Sequence, residues 1–114
     1  MTPTTTARLV IVAYRPRPGQ AAALADVVRR HGPVLRAEGL VTARPFTTCE
    51  AADGTLVEIF EWRSAEAMAA AHNNPQVQAL WAEFFAACEY LPVGLVAEAA
   101  QLFSEFTPRD DLVG

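Results

Sequence analysis

Lysine is absent from this 114-residue chain, and all nine of its basic residues are arginine. Chemistry that depends on a lysine amine, such as Schiff-base formation or the lysine of a phosphate-binding loop, is therefore excluded. Cysteine is scarce: Cys49 and Cys88 lie far apart, and no Cys/His grouping has metal-ligand spacing. In a reducing compartment such residues read as small buried side chains rather than as a disulfide. No apolar run reaches the roughly 20 residues of a membrane-spanning helix. The start, Met1-Thr2-Pro3-Thr4-Thr5-Thr6-Ala7, has neither the basic end nor the apolar stretch of a secretory leader, so a cytoplasmic location is expected. The arginines form no cluster and the net charge is −4, which argues against a nucleic-acid partner. Neither a glycine-rich phosphate loop nor a Ser-His-Asp pattern can be placed. No nucleotide, flavin or metal cofactor is implied, and no membrane partner.

Apolar residues are plentiful instead, at 52% against 19% charged. A chain of this length has room for one core. One domain is expected over residues 1–114, with a core at 8–107 between polar tails at 1–7 and 108–114, and some of the apolar surplus is expected to face a second copy of the chain.

The elements follow from periodicity. Arg8-Leu9-Val10-Ile11-Val12-Ala13-Tyr14 is apolar on both alternating sets, as a central strand covered on both faces reads. Pro16, Pro18 and Gly19 break it. Leu24, Val27, Val28, His31 and Leu35 then form one apolar stripe of a helix over 20–38, bent at Gly32-Pro33 and closed by Gly39. Residues 41–50 and 55–62 read as an antiparallel hairpin turned by Asp53-Gly54. Ser64 caps a helix over 65–72, which Asn73-Asn74-Pro75 interrupts; Val77, Leu80, Trp81, Phe84, Phe85, Cys88 and Leu91 then continue as a second helical stripe. After an irregular stretch from Val93, Leu102-Phe103-Ser104-Glu105-Phe106-Thr107 reads as the last strand. The order β-α-β-β-α-β predicts an α+β, ferredoxin-like fold with two helices on one face of an antiparallel sheet. Apolar residues on both sides of the third strand leave the other face to a partner, so a homodimer with two sheets stacked into a barrel is expected.

The segment Phe60-Glu61-Trp62-Arg63-Ser64-Ala65-Glu66-Ala67, leading to Ala71-His72-Asn73-Asn74-Pro75-Gln76-Val77-Gln78, resembles the centre of antibiotic biosynthesis monooxygenase (ABM) domains. The resemblance implies the dimeric α/β barrel and cofactor-free oxidation of a small phenolic, quinol or polyketide-type molecule; the alternative within the same fold is a dimer that binds a small ligand, or is purely structural, without chemistry. Resemblance to the haem-degrading branch of the family would call for a triad of Asn on the first strand with Trp and His on the second helix. Here that strand offers Val12, Ala13 and Tyr14, and no His follows His72.

Such an oxidation requires a base, a donor for the resulting anion and a dry pocket. His72, at a helix end beside the sheet, is the first candidate base, set against a structural role at the helix break; His31, on an apolar stripe, reads as a packed residue and second choice. Asn73 is a candidate donor, while Asn74 reads as a cap. Tyr14, Phe60, Trp62, Trp81 and Phe84, with Phe46, are candidate flat walls for an aromatic ligand, against the plain-core reading of such positions. Arg44, expected mid-strand, needs either a carboxylate such as Glu58 or a substrate anion.

Overall fold

The protein is described from a computed structural model, over residues 6–113. The segment expected not to be a secretory leader, and most of the expected N-terminal tail, lie outside the described residues.

The first strand, β1 (Arg8–Pro16), is central, with a neighbour on each edge. Gly19 takes a φ of +75°, open to glycine at little cost, and turns the chain into α1 (Ala21–Ala37). Leu24, Val27, Val28, His31 and Leu35 are all buried on the expected stripe, and the helix runs on through Pro33. Its end is a Schellman cap: Gly39 at φ +70° donates to the Arg36 carbonyl, and the Leu40 amide reaches Leu35, each at 3.0 Å.

The hairpin forms from β2 (Thr47–Glu50) and β3 (Leu56–Trp62), with Gly54 at φ +92° in its turn. The first strand of the pair is shorter than the expected 41–50. Val41 makes a single bridge to Trp62 and the Thr42 amide donates to the Glu61 carbonyl at 3.1 Å; Ala43 and Arg44 then leave the ladder ahead of Pro45, which has no amide hydrogen to donate.

The second helix is two pieces, α2 (Ala65–Ala71) and α3 (Pro75–Ala87). Ser64 Oγ accepts from the Ala67 amide at 3.0 Å, and Asn74 Oδ1 accepts from Gln76 and Val77 at 2.9 and 3.1 Å. Both caps are where the sequence puts them. The C-terminal half departs from expectation. The helical stripe stops at Ala87, and Cys88 turns directly to extended backbone to begin β4 (Cys88–Leu91), which pairs antiparallel with β1. Residues 102–107 do not form the closing strand: Leu102 and Phe103 are 93% and 80% exposed. The physical reason is the register. The free edge of β1 at Ala13 to Pro16 lies against the end of α3 and is satisfied by the four residues that follow that helix.

The sheet order is β4-β1-β3-β2-β5, antiparallel throughout, with β5 (Thr107–Pro108) a two-residue addition at the open edge. This is the ferredoxin-like order with one short extra strand. The stretch from 108 is not a loose tail, because Arg109 binds Glu50 and Leu112 is buried in the core beside Leu24, Val28 and Phe84. Helices α1 and α3 cover the face bearing Val12, Tyr14, Leu56 and Phe60. On the opposite face, Val96 and its neighbours close over Ala13 and Val57, while Leu9 and Ile11 remain 57% and 50% exposed. No helix among the described residues is long and apolar enough to cross a membrane.

Candidate active site

Between the sheet and α3 lies a cavity of about 730 Å³. β1 contributes Val10, Val12 and Tyr14 and β3 contributes Phe60 and Trp62, because even-numbered positions of both strands point to the helix side. Trp81 stands opposite on α3, so both tryptophans of the chain line the space. Aromatic and aliphatic walls suit a flat apolar ligand. The exposed α3 residues Gln78, Ala82 and Phe85 lie on the solvent side.

Two imidazoles reach this cavity by different routes. His72 follows α2 at the helix break, where its Nδ1 lies 3.1 Å from the Met68 carbonyl and its ring meets Trp81 edge-on at 5.1 Å. Gln78 Nε2 donates to the His72 carbonyl at 2.7 Å and fixes the break. His72 is exposed, and because a carbonyl can only accept, its Nδ1 carries a hydrogen.

His31 comes from α1 and is buried. Its Nδ1 lies 2.7 Å from Glu58 Oε1, and the Tyr14 hydroxyl donates to the same oxygen at 2.8 Å. Glu58 is 1% exposed. A carboxylate so far from water is tolerable because two donors converge on it. Burial, and then the neighbouring Glu58 charge, hold the Tyr14 phenol well above its ordinary range and therefore protonated. Phe46, Phe60 and Phe84 meet the His31 ring edge-on at 5.8, 5.2 and 5.0 Å, which fixes its plane. Phe46 also stacks on Phe60 at 4.8 Å. Tyr90 lines the cavity from β4, its phenol pushed up to about 12 by burial. Burial likewise pushes the Cys88 thiol up to about 11 and raises Cys49, so both are neutral thiols near pH 7.

Of the residues singled out in the sequence, Tyr14, His31, Phe60, Trp62, His72 and Trp81 meet around this one space. Phe84 stands behind it, packed on Tyr14 at 4.8 Å and on His31. Asn73 is exposed at the break, its backbone N–H donating to the Ala70 carbonyl. Arg44 lies on the surface with its guanidinium on Glu61 at 3.2 Å, so the partner expected for it, Glu58, is engaged elsewhere. Glu58 is the residue that sequence reasoning misplaced. Its signal was present: an acid within Leu56-Val57-Glu58-Ile59-Phe60, in phase with the helix-facing positions, must be buried and must find donors.

The chain matches none of the curated proteins or solved structures compared with it. It does match the family described as antibiotic biosynthesis monooxygenase over residues 8–83, a span that runs from β1 through most of α3 and includes His31, Glu58, His72 and both tryptophans. With that span covering more than half of its length and the sheet in ferredoxin-like order, the chain belongs to the antibiotic biosynthesis monooxygenase family.

Proposed function

We propose that the chain takes a small phenolic, quinol or polyketide-type molecule into this cavity and oxidises it with dioxygen, without a cofactor. The observation that carries the reading is a 730 Å³ aromatic-walled space reached by two imidazoles, in a member of a monooxygenase family. Loss of a proton turns such a ligand into an electron-rich anion able to pass an electron to dioxygen. For an anthrone, one oxygen atom ends as the new carbonyl and the other leaves with the two methylene hydrogens as water. His31 and His72 are the groups that can accept the proton. Trp62, Trp81 and Phe60 supply flat apolar contact to the anion's ring system.

The protein acts in this proposal as a cytoplasmic homodimer. Leu9 and Ile11 project from the sheet face away from the helices, and Ile59, in register with Ile11, is only partly covered. A second copy stacked on that face would bury them.

Oxygen uptake by the purified protein tests the reading, measured without added cofactor against anthrones, hydroquinones and naphthols and corrected for autoxidation. Protein-dependent uptake with at least one of these is expected. Saturable binding without uptake would replace oxidation with ligand binding as the function.

A further inference from the structure

The cavity holds two imidazoles in unlike settings, and the difference between them is chemical. His72 rests on a neutral carbonyl in an exposed position, with no carboxylate bonded to it among the described residues. His31 is backed by a buried carboxylate at 2.7 Å, which is itself held by the Tyr14 hydroxyl at 2.8 Å. Since Glu58 presents an acceptor, the hydrogen between them sits on His31 Nδ1, and in the neutral ring the lone pair is then on Nε2. The ring lines the cavity, and no hydrogen bond to Nε2 is seen among the described residues. Three phenylalanine rings prevent it from turning away.

We propose that His31 is the base that removes a proton from a carbon or phenol acid bound in this cavity, with Glu58 and Tyr14 as positioning residues that act through it. The inference rests on the cavity being the ligand site, and it deepens that reading by naming the proton acceptor and the ligand class, an acid whose anion is delocalised over a flat ring system. The step is a proton transfer alone. The ligand's C–H or O–H bond breaks with its electron pair left on the ligand, and an N–H bond forms at Nε2. The imidazolium so formed lies against the Glu58 carboxylate, which stabilises the new charge where it develops. Tyr14 keeps that carboxylate oxygen aimed at Nδ1. His72, lacking such a counter-charge, is left to shape the wall with Trp81.

Because no electron leaves the ligand in this step, the base can be tested without oxygen. Anthrone in D2O under argon exchanges its C10 hydrogens for deuterium through its anion, and proton NMR follows the loss of the C10 signal. Wild-type protein is expected to accelerate exchange by about 10²-fold or more over buffer, the scale of a positioned general base. His31→Gln should return the rate to that of buffer. Glu58→Gln should lower it by about 10²-fold or more while anthrone still quenches tryptophan fluorescence, because a neutral amide no longer stabilises the imidazolium that forms and leaves the pocket in place. Exchange no faster than in buffer, or exchange that survives His31→Gln, overturns the proposal whether or not oxygen is consumed. Exchange without oxygen uptake upholds it while removing the oxidation reading. Should the variants fail to fold, the nitrogen-15 spectrum of the wild-type histidine rings decides: the proposal requires neutral His31 with hydrogen on Nδ1, and hydrogen on Nε2 overturns it.

Discussion

Glu58→Ala is expected to lower the stability of the fold by about 3–5 kcal/mol, the scale of breaking a buried, hydrogen-bonded pair on one side. The substitution removes the acceptor shared by His31 and Tyr14 and leaves an imidazole and a phenol without partners in an apolar environment. It also opens a void beneath Phe84 and Phe60, which pack on the His31 ring. Glu58→Gln retains an acceptor oxygen and should cost less, about 1–3 kcal/mol. Urea unfolding with an unchanged slope measures the difference. A loss below about 1 kcal/mol for Glu58→Ala would mean that the carboxylate does not organise this part of the core.

Ile11→Glu is expected to turn a dimer into a monomer. In the proposed pairing Ile11 meets the partner near the middle of the sheet face, alongside Leu9 and Ile59. Two copies of the substitution bring two like charges into a dry interface. Each must be stripped of water at a cost of several kcal/mol, with no cation opposite. The helix side of the sheet is untouched, so the variant should keep its fold and its circular dichroism. Sedimentation equilibrium should then show the mass of one chain for the variant and of two for the wild type. A wild type that is monomeric at every concentration, or a variant that remains dimeric, removes this face from consideration as the interface.

Much of the fold was legible because its signals are local. Ser64, Asn74 and Gly39 act where their side chains or backbone freedom require, and the α1 stripe is buried residue for residue. The C-terminal half was not legible, since a four-residue strand following a helix with no glycine or proline between them continues the apolar phase of that helix. Cys88 and Leu91 fit a helical stripe as well as a strand, and only the unpaired edge of β1 decides between them. Residues 102–107 carry strand-like composition but find no free edge there; β5 begins at the last of them.

The site divides in the same way. Trp62, Phe60 and Tyr14 were visible as one face of two strands, and His72 as the end of an interrupted helix. The pairing of His31 with Glu58 was not visible, since it joins α1 to β3 across 27 positions. An apolar stripe with one histidine and a strand with two glutamates each have an ordinary reading alone. Arg44 misled because it was placed on a strand that Pro45 ends before it begins.

The central claim is that the space between the sheet and α3 receives a flat aromatic molecule. Because Trp62 and Trp81 are the chain's two tryptophans and both line that space, intrinsic fluorescence reports on it directly. Anthrone added under argon should quench the emission along a saturable curve. Ala82→Phe, which fills the exposed α3 side of the cavity, should weaken that binding by ~tenfold or more, equivalent to at least ~1.4 kcal/mol. Quenching that never saturates, or that is the same in Ala82→Phe, would contradict the account and place any ligand elsewhere.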